Sequence, residues 1–269
     1  MQPTEVNHPW ELILELPNQN HKVLPDQTTI LQVFQEEAAR LLLVLGKPGS
    51  GKTMTTIELA KELIEQVRQN KQQIIPVMFN LSSWATQQKS LLLWLVDELN
   101  NKYQIPKELG EFWLKQHYLL PLLDGLDEVC ENVRADCVKE INTFAKEAGI
   151  TGLVVCCRED EYRELPEKLN LNAAISLQPL KQDQIESYIK NAGGRLQGLS
   201  QILAEDGEMR AMASSPLMLG IMSLTYNNMT VEKQVIALVM RHKVSYLIAI
   251  LTRCFCGEKQ REKYFQMIK

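Results

Sequence analysis

LLLVLGKPGSGKT, residues 41–53, holds two patterns end to end. Leu41 to Gly46 is an unbroken apolar run closed by glycine, the mark of a strand buried on both faces of a parallel sheet. Gly46-Lys47-Pro48-Gly49-Ser50-Gly51-Lys52-Thr53 then fits the spacing GxxxxGK[ST]. Directly after it, Thr53 to Gln69 carries Ile57, Ala60, Leu63, Ile64 and Val67 at helical spacing, with no proline or glycine inside. Strand, glycine-rich turn and helix together give the pattern a physical meaning. Glycines let backbone N–H groups close around phosphate oxygens with no Cβ in the way, and the helix start adds its positive dipole end. In such a loop Lys52 brings a point charge to the outer phosphates and Thr53 offers a hydroxyl to Mg²⁺. By average composition, a chance match in a chain this long has odds of about 1 in 100.

Outward from the loop, the alternation repeats. Ile74–Leu81, His117–Leu123, Leu153–Cys157 and Ala173–Leu177 read as further strands, with Pro121 an awkward guest in the second of these. Thr28–Ala39, Leu91–Leu99 and Val133–Ala148 read as helices, the last ended at Gly149. The expectation is an α/β three-layer sandwich: a five-stranded parallel sheet with helices on both faces. After Pro179 the pattern is helical only, through Asp183–Asn191, Leu199–Ala204, Gly207–Ala213 and Leu217–Tyr226. The divisions predicted are residues 1–28, an extended lead-in holding Pro3, Pro9, Pro17 and Pro25; 29–178, the sheet domain; 179–229, a small helical domain; and 230–269, a basic helical tail.

Three further stretches carry chemistry. In LLPLLDGLDE, residues 119–128, Asp124 closes a buried strand, where a carboxylate can hold Mg²⁺, commonly through water. It follows Lys52 by 72 residues, room for one intervening strand, which is expected to leave the strands of Lys52 and Asp124 side by side. Asp127 and Glu128 then lie near the outermost phosphate, where a carboxylate can orient and deprotonate water. Glu128 is the first choice as base and Asp127 the second; the plainer alternative makes both a solvated helix start. In CCRED, residues 156–160, Arg158 ends another strand at the same carboxyl edge and can neutralise phosphate charge, or simply pair with a neighbouring acid. Cys156 and Cys157 read as inert, alternating across a buried strand. SSPLML, residues 214–219, taken alone is a serine N-cap, a proline at the helix start and an apolar helix.

The chain has 269 residues, 45% of them apolar and 23% charged, ordinary values for a globular protein and unlike those of disordered, collagenous or disulfide-stapled chains. Its net charge of -4 gives no general reason to bind nucleic acid. The longest apolar runs, Leu91–Val96 and Val244–Leu251, fall far short of the roughly 20 residues of a spanning helix, and MQPTEVNHPW has no signal-peptide pattern. No CxxC pair occurs among the six cysteines, so a reduced, cytoplasmic setting is expected. Guanine readers carry Asn-Lys-x-Asp, whereas Asn70-Lys71-Gln72-Gln73 and Asn101-Lys102-Tyr103-Gln104 lack the aspartate. The LSGGQ signature of transport ATPases is also missing.

With these pieces in this order, the chain resembles, from about Trp10 to Tyr226, the NACHT family of signal-transduction NTPases, a branch of the STAND group within the AAA-like (ASCE) P-loop proteins. LLDGLDEV is the most specific element, because that family pairs a Walker B aspartate with a small residue and two further acids. NLSSW (80–84) and HPWELIL (8–14) look like segments of bacterial, cyanobacterial-type members. The resemblance implies a Walker A loop at Gly46–Thr53, Asp124 as the Mg²⁺ aspartate, Asp127 and Glu128 as the acidic pair for hydrolysis, and Arg158 at the sensor-1 position. Pro216 matches the proline that packs on the adenine base. It further implies ATP and ADP as ligands, slow hydrolysis, and a switch that self-associates when ATP-bound, with effector and sensor partners. A GTPase, or a nucleotide-binding module that does not hydrolyse, is the alternative. The likeness stops at the tail, where Thr230–Lys269 carries 8 Lys/Arg against 3 Glu. The tail reads as aberrant or truncated, a frame-shifted remnant of the family's continuation; a genuine basic helix touching RNA or membrane is the competing view.

Overall fold

The computed structural model describes residues 12–16, 22–25, 28–69, 74–147 and 149–227. Most of the lead-in and the whole 230–269 tail, with the reading placed on it, lie outside the described residues. Two compact units are present: the described residues up to Lys181 together with Ser215–Leu217, and those from Gln182 to Ser214 and from Met218 onward.

The first unit is built on one sheet. Its strands are β1 (Leu12–Glu15), β2 (Lys22–Val23), β3 (Leu41–Gly46), β4 (Ile75–Asn80), β5 (Leu119–Asp124), β6 (Leu153–Arg158) and β7 (Ala173–Leu177), in the order β2-β1-β7-β3-β6-β5-β4. From β7 to β4 the strands are parallel. The sheet therefore has seven strands, not the five expected. The two additional ones come from the supposed lead-in, where β1 adds antiparallel to β7 with Leu12 opposite Leu177, and β2 turns back on β1. Sequence patterning missed them because a four-residue and a two-residue strand are too short to display a period. In β1 Leu12 and Leu14 are buried and Ile13 between them half-buried, inside a short segment bounded by Pro9 and Pro17.

A second expectation also changes. The strands of Lys52 and Asp124 are not neighbours, since β6 lies between β3 and β5 and pairs with both. The crossover that leaves β5 returns its chain into that gap, an insertion that sequence separation alone does not reveal. Pro121 sits mid-strand, opposite Val77 of β4, and the pairing of β5 with β6 is confined to Leu122 and Leu123, beyond the residue that has no N–H.

The helices of this unit are α1 (Ile30–Gln32, running on through a π-helical turn, Val33–Glu37), α2 (Lys52–Arg68), α3 (Trp84–Gln87), α4 (Leu91–Tyr103), α5 (Lys107–Lys115), α6 (Glu131–Glu147) and α7 (Glu159–Arg163). Alternate residues of each strand feed two cores. On one face Leu43, Leu45, Val155 and Cys157 pack with Trp94, Leu99, Val138 and Ile141 of α4 and α6. On the other, Leu42, Val44, Val154 and Cys156 pack with Ile30, Phe34, Leu59 and Leu63 of α1 and α2. Thr29 starts α1 with a capping box, accepting from Gln32 N at 3.2 Å while its own N–H meets Gln32 Oε1 at 3.0 Å.

The second unit is helical: α8 (Gln182–Asn191), α9 (Gln197–Glu205), α10 (Gly207–Ala213) and the body of α11 (Pro216–Thr225), whose first two residues belong to the sheet unit. Asp206 caps α10 by accepting from Glu208 N at 2.9 Å and Met209 N at 3.1 Å. Arg210 closes the end of α9 by donating to Leu203 O and Ala204 O at 2.8 and 2.7 Å.

Candidate functional site

Parallel strands bring their carboxyl ends to one edge, and here that edge collects the chemistry. Gly46 of β3 stands level with Arg158 of β6 and Leu177 of β7, and Asn80 of β4 stands level with Asp124 of β5. Beyond β3 the loop turns through Gly49 (φ 73°) and Gly51 (φ 96°) into α2. Both angles lie in the left-handed region that favours glycine. Gly51 occupies the N-cap position and has no side chain to offer, so the first N–H groups of a 17-residue helix face the loop uncapped.

The interior of the loop has the properties of an anion cradle. Lys52 folds its ammonium onto it, donating to Gly46 O at 3.0 Å and Lys47 O at 3.2 Å. Ser50 is buried, and among the described residues its hydroxyl has no hydrogen-bond partner. A Cβ on Gly46 would stand 2.4 Å from that hydroxyl, so only glycine closes the strand here. A cation, a buried orphan hydroxyl and an open helix start together suit the phosphates of a nucleotide. Lys47 and Pro48 are exposed on the outer turn.

Thr53 Oγ1 donates to Asp124 Oδ2 at 2.8 Å, joining residues 71 positions apart. Hydroxyl and carboxylate side by side at a strand end are oxygen donors of the hard type Mg²⁺ takes. Among the described residues no cluster of three His, Cys, Asp or Glu could hold a metal by itself. Ligation here would be completed by water and phosphate oxygens, which is how Mg²⁺ is commonly bound.

The two acids that follow are held differently. Gly125 (φ 80°) turns the chain out of β5, and its missing side chain matters, since a Cβ there would meet the Glu128 carboxyl carbon at 3.0 Å. Glu128 Oε2 accepts from Asn80 Nδ2 at 3.2 Å, while Asn80 Oδ1 accepts from Ser82 N at 2.7 Å. The Asp127 side chain is enclosed instead. It accepts from Arg158 N at 3.0 Å through one oxygen and pairs with Arg158 Nε at 2.7 Å through the other. Arg158 also meets Glu161 Oε1 at 3.4 Å. Arg134 fixes the turn behind both acids, donating to Asp127 O at 2.8 Å and to Val129 O at 2.9 and 3.1 Å.

Cys156 and Cys157 are buried on β6, the strand that ends at Arg158. Burial first, and the nearby Asp124 second, push the Cys156 thiol far above its ordinary range, although Thr56 Oγ1 touches its sulfur at 2.9 Å. Pro216 starts α11, and its neighbours Ser215 and Leu217 both hydrogen-bond Gly49 O at 3.2 Å, so within the sheet unit this proline stands beside the loop.

The structure thus gathers Gly46–Thr53, Asp124, Asp127, Glu128 and Arg158 at one edge. Sequence reading missed Asn80, Arg134 and Ser215. Asn80 had a visible signal, a polar residue ending a β-run just as Asp124 does, whereas Arg134 looks like any exposed helical arginine.

Among solved structures, the chain is similar to Cdc6p from Pyrobaculum aerophilum (17% identity, TM-score 0.40, 60% of this chain and 46% of that one). It is also similar to the Orc1 protein of Aeropyrum pernix, solved in complex with DNA (13%, 0.40, 61% and 46%), and to PCH-2 of C. elegans (15%, 0.38, 62% and 43%). The chain spans less than half the length of each. No curated protein matches it. Residues 40–193, which include the loop, Asp124, both following acids and Arg158, match the NACHT domain. That match takes in more than half of the 269 residues, and with the α/β nucleotide-binding architecture it means that the chain belongs to the NACHT family of P-loop NTPases.

Proposed function

We propose that this chain is an ATP-binding molecular switch for signal transduction, in bacterial defence or regulation, that hydrolyses ATP slowly. The observation that carries the reading is the 2.8 Å contact of Thr53 with Asp124, which joins the phosphate loop to the strand-end carboxylate. Gly46–Thr53 would hold the phosphates, Lys52 moving from its carbonyls to the anion, and Thr53 and Asp124 would hold Mg²⁺. Bound Mg²⁺ supplies charge that neutralises the phosphate oxygens as the outermost bond breaks. Glu128, the less buried acid, would accept a proton from the attacking water at a carboxylate oxygen. Arg158, oriented by Asp127, would turn its guanidinium to the outer phosphate, and Pro216 would pack on the base. In the family's manner the ADP form would be closed and the ATP form would self-associate, in the cytoplasm, with separate sensor and effector partners. Among the described residues no helix is long and apolar enough to cross a membrane.

Mass spectrometry of the nucleotide carried by the purified protein, with calorimetry of Mg-ADP and Mg-ATP, tests this. Adenine nucleotide is expected, and Lys52→Ala is expected to lose most of the affinity. Guanine nucleotide would favour the GTPase alternative. Tight binding with no phosphate release would favour a switch that does not hydrolyse, and full affinity in Lys52→Ala would sink the phosphate-loop assignment.

A further inference from the structure

Gly49 turns the phosphate loop at φ 73°, and its carbonyl is engaged from outside the loop. Two donors from one short segment meet it: Ser215 Oγ at 3.2 Å and Leu217 N at 3.2 Å. Ser215–Leu217 belong to the sheet unit, so the contact lies inside that unit. A helix start normally needs acceptors for its first N–H groups. At α11, Pro216 has no N–H to satisfy, and the Leu217 amide finds its acceptor in the loop rather than in a neighbouring side chain. Read as sequence, Ser215 is an ordinary N-cap; in the structure its hydroxyl gives its proton to Gly49. The fit is close. A Cβ on Gly49 would stand 3.0 Å from Ser215 Oγ and 3.2 Å from Leu217 Cβ, and φ there is +73°. Gly49 is thus required for this contact independently of any phosphate.

We infer that Ser215 is a positioning residue for phosphate binding, acting through the Gly49–Ser50 peptide. The inference rests on the phosphate-loop reading given above. Its physics is the planarity of the peptide bond: in a trans peptide the carbonyl and the following N–H point in opposite directions. Pinning Gly49 O outward therefore turns the Ser50 N–H inward, where it now donates to Lys47 O at 3.1 Å. Flipped over, the same peptide would present its carbonyl oxygen to the anion, the wrong charge for the site. Ser215, together with the Leu217 amide, removes that choice before ligand arrives, so the loop is pre-organised in part by a side chain 166 positions away in the sequence. This role differs from that proposed for Pro216, which concerns the base.

The test uses the full chain and two probes, Mg-ADP by calorimetry and pyrophosphate by displacement of a fluorescent ADP. Ser215→Ala should weaken both by the same factor, roughly three- to tenfold, the size of one hydrogen bond. Ser215→Thr, which keeps the hydroxyl, should restore both to near wild type. Thermal melts of each variant confirm that it is folded at the assay temperature. Unchanged ADP affinity in Ser215→Ala overturns the inference, as does a loss for ADP that pyrophosphate does not share, since the residue would then act away from the phosphates. Lys52→Ala is measured alongside. If it has lost ADP while Ser215→Ala has not, only this inference falls; if neither variant has lost it, the phosphate-loop reading falls too.

Discussion

Asp127 and Glu128 are adjacent in sequence and equal in charge, yet they belong to different physical regions. Asp127 is turned inward: its side chain is 6% exposed and Arg158 meets both its oxygens, one with the backbone N–H and one with Nε. Glu128 is turned toward the open edge of the sheet, held through one oxygen by the Asn80 amide. A carboxylate with both oxygens engaged by Arg158 has few lone pairs left to offer a water, whereas one held through a single oxygen keeps the other open to solvent. The difference teaches that one acid builds the edge and the other is left available at it.

The largest expected effect comes from breaking the inward side. Asp127→Ala strands the Arg158 guanidinium, itself 11% exposed, without its main partner. With Glu161 still in reach of the guanidinium, losing the main partner of this mostly enclosed charge costs roughly 1–3 kcal/mol, so denaturant midpoints should fall and nucleotide turnover with them. A variant as stable as the parent would show that the pair is not structural. Glu128→Gln sharpens the outward side. It keeps the shape and the contact with Asn80 while removing the base, so phosphate release should drop roughly a hundredfold or more with ADP affinity and melting temperature unchanged. Unaltered release would assign the base elsewhere.

The smallest effect reads the same contrast through thiols. Cys130, two residues past Glu128, is exposed, whereas Cys157, next to Arg158, is buried. Burial, and then the Asp127 charge, push the Cys157 thiol far upward, so at pH 8 essentially none of it is thiolate. Cys137 in α6 is likewise pushed up to about 12 by burial. Iodoacetamide followed by peptide mapping should therefore label Cys130 and spare Cys137 and Cys157. Labelling of Cys157 in the folded parent would mean that the inward region opens readily.

How much of this is legible in the sequence depends on how far apart the partners lie. The strand, the loop and Lys52 are written within thirteen consecutive residues, with the helix following directly, and a local pattern suffices to read them. Asp124 is recognisable because an apolar run ends on it. What separates Asp127 from Glu128 is not local, since it depends on β6 entering between β3 and β5 and so placing Arg158 beside one acid and not the other. Likewise Asn80 becomes a partner of Glu128 only because β4 pairs with β5 in the register that levels Asn80 with Asp124. The Gly125 requirement is half legible: glycine after a strand signals a turn, but not that a carboxylate packs against the bare Cα.

The pairing of β1 with β7 bears on how this protein can be shortened. Composition puts the start of the sheet domain near Thr28, and a chain begun there would leave β7 with its ladder of N–H and C=O groups bare from Ala174 to Leu177. Leu14, wholly buried in the core around Phe34, would be lost as well. An uncovered, apolar strand edge is a template for the next molecule. Such a fragment should therefore precipitate through edge-to-edge pairing, whereas one that retains β1 and β2 should stay in solution, because the outermost edge on that side would be the two-residue β2, with Lys22 on it, and not β7.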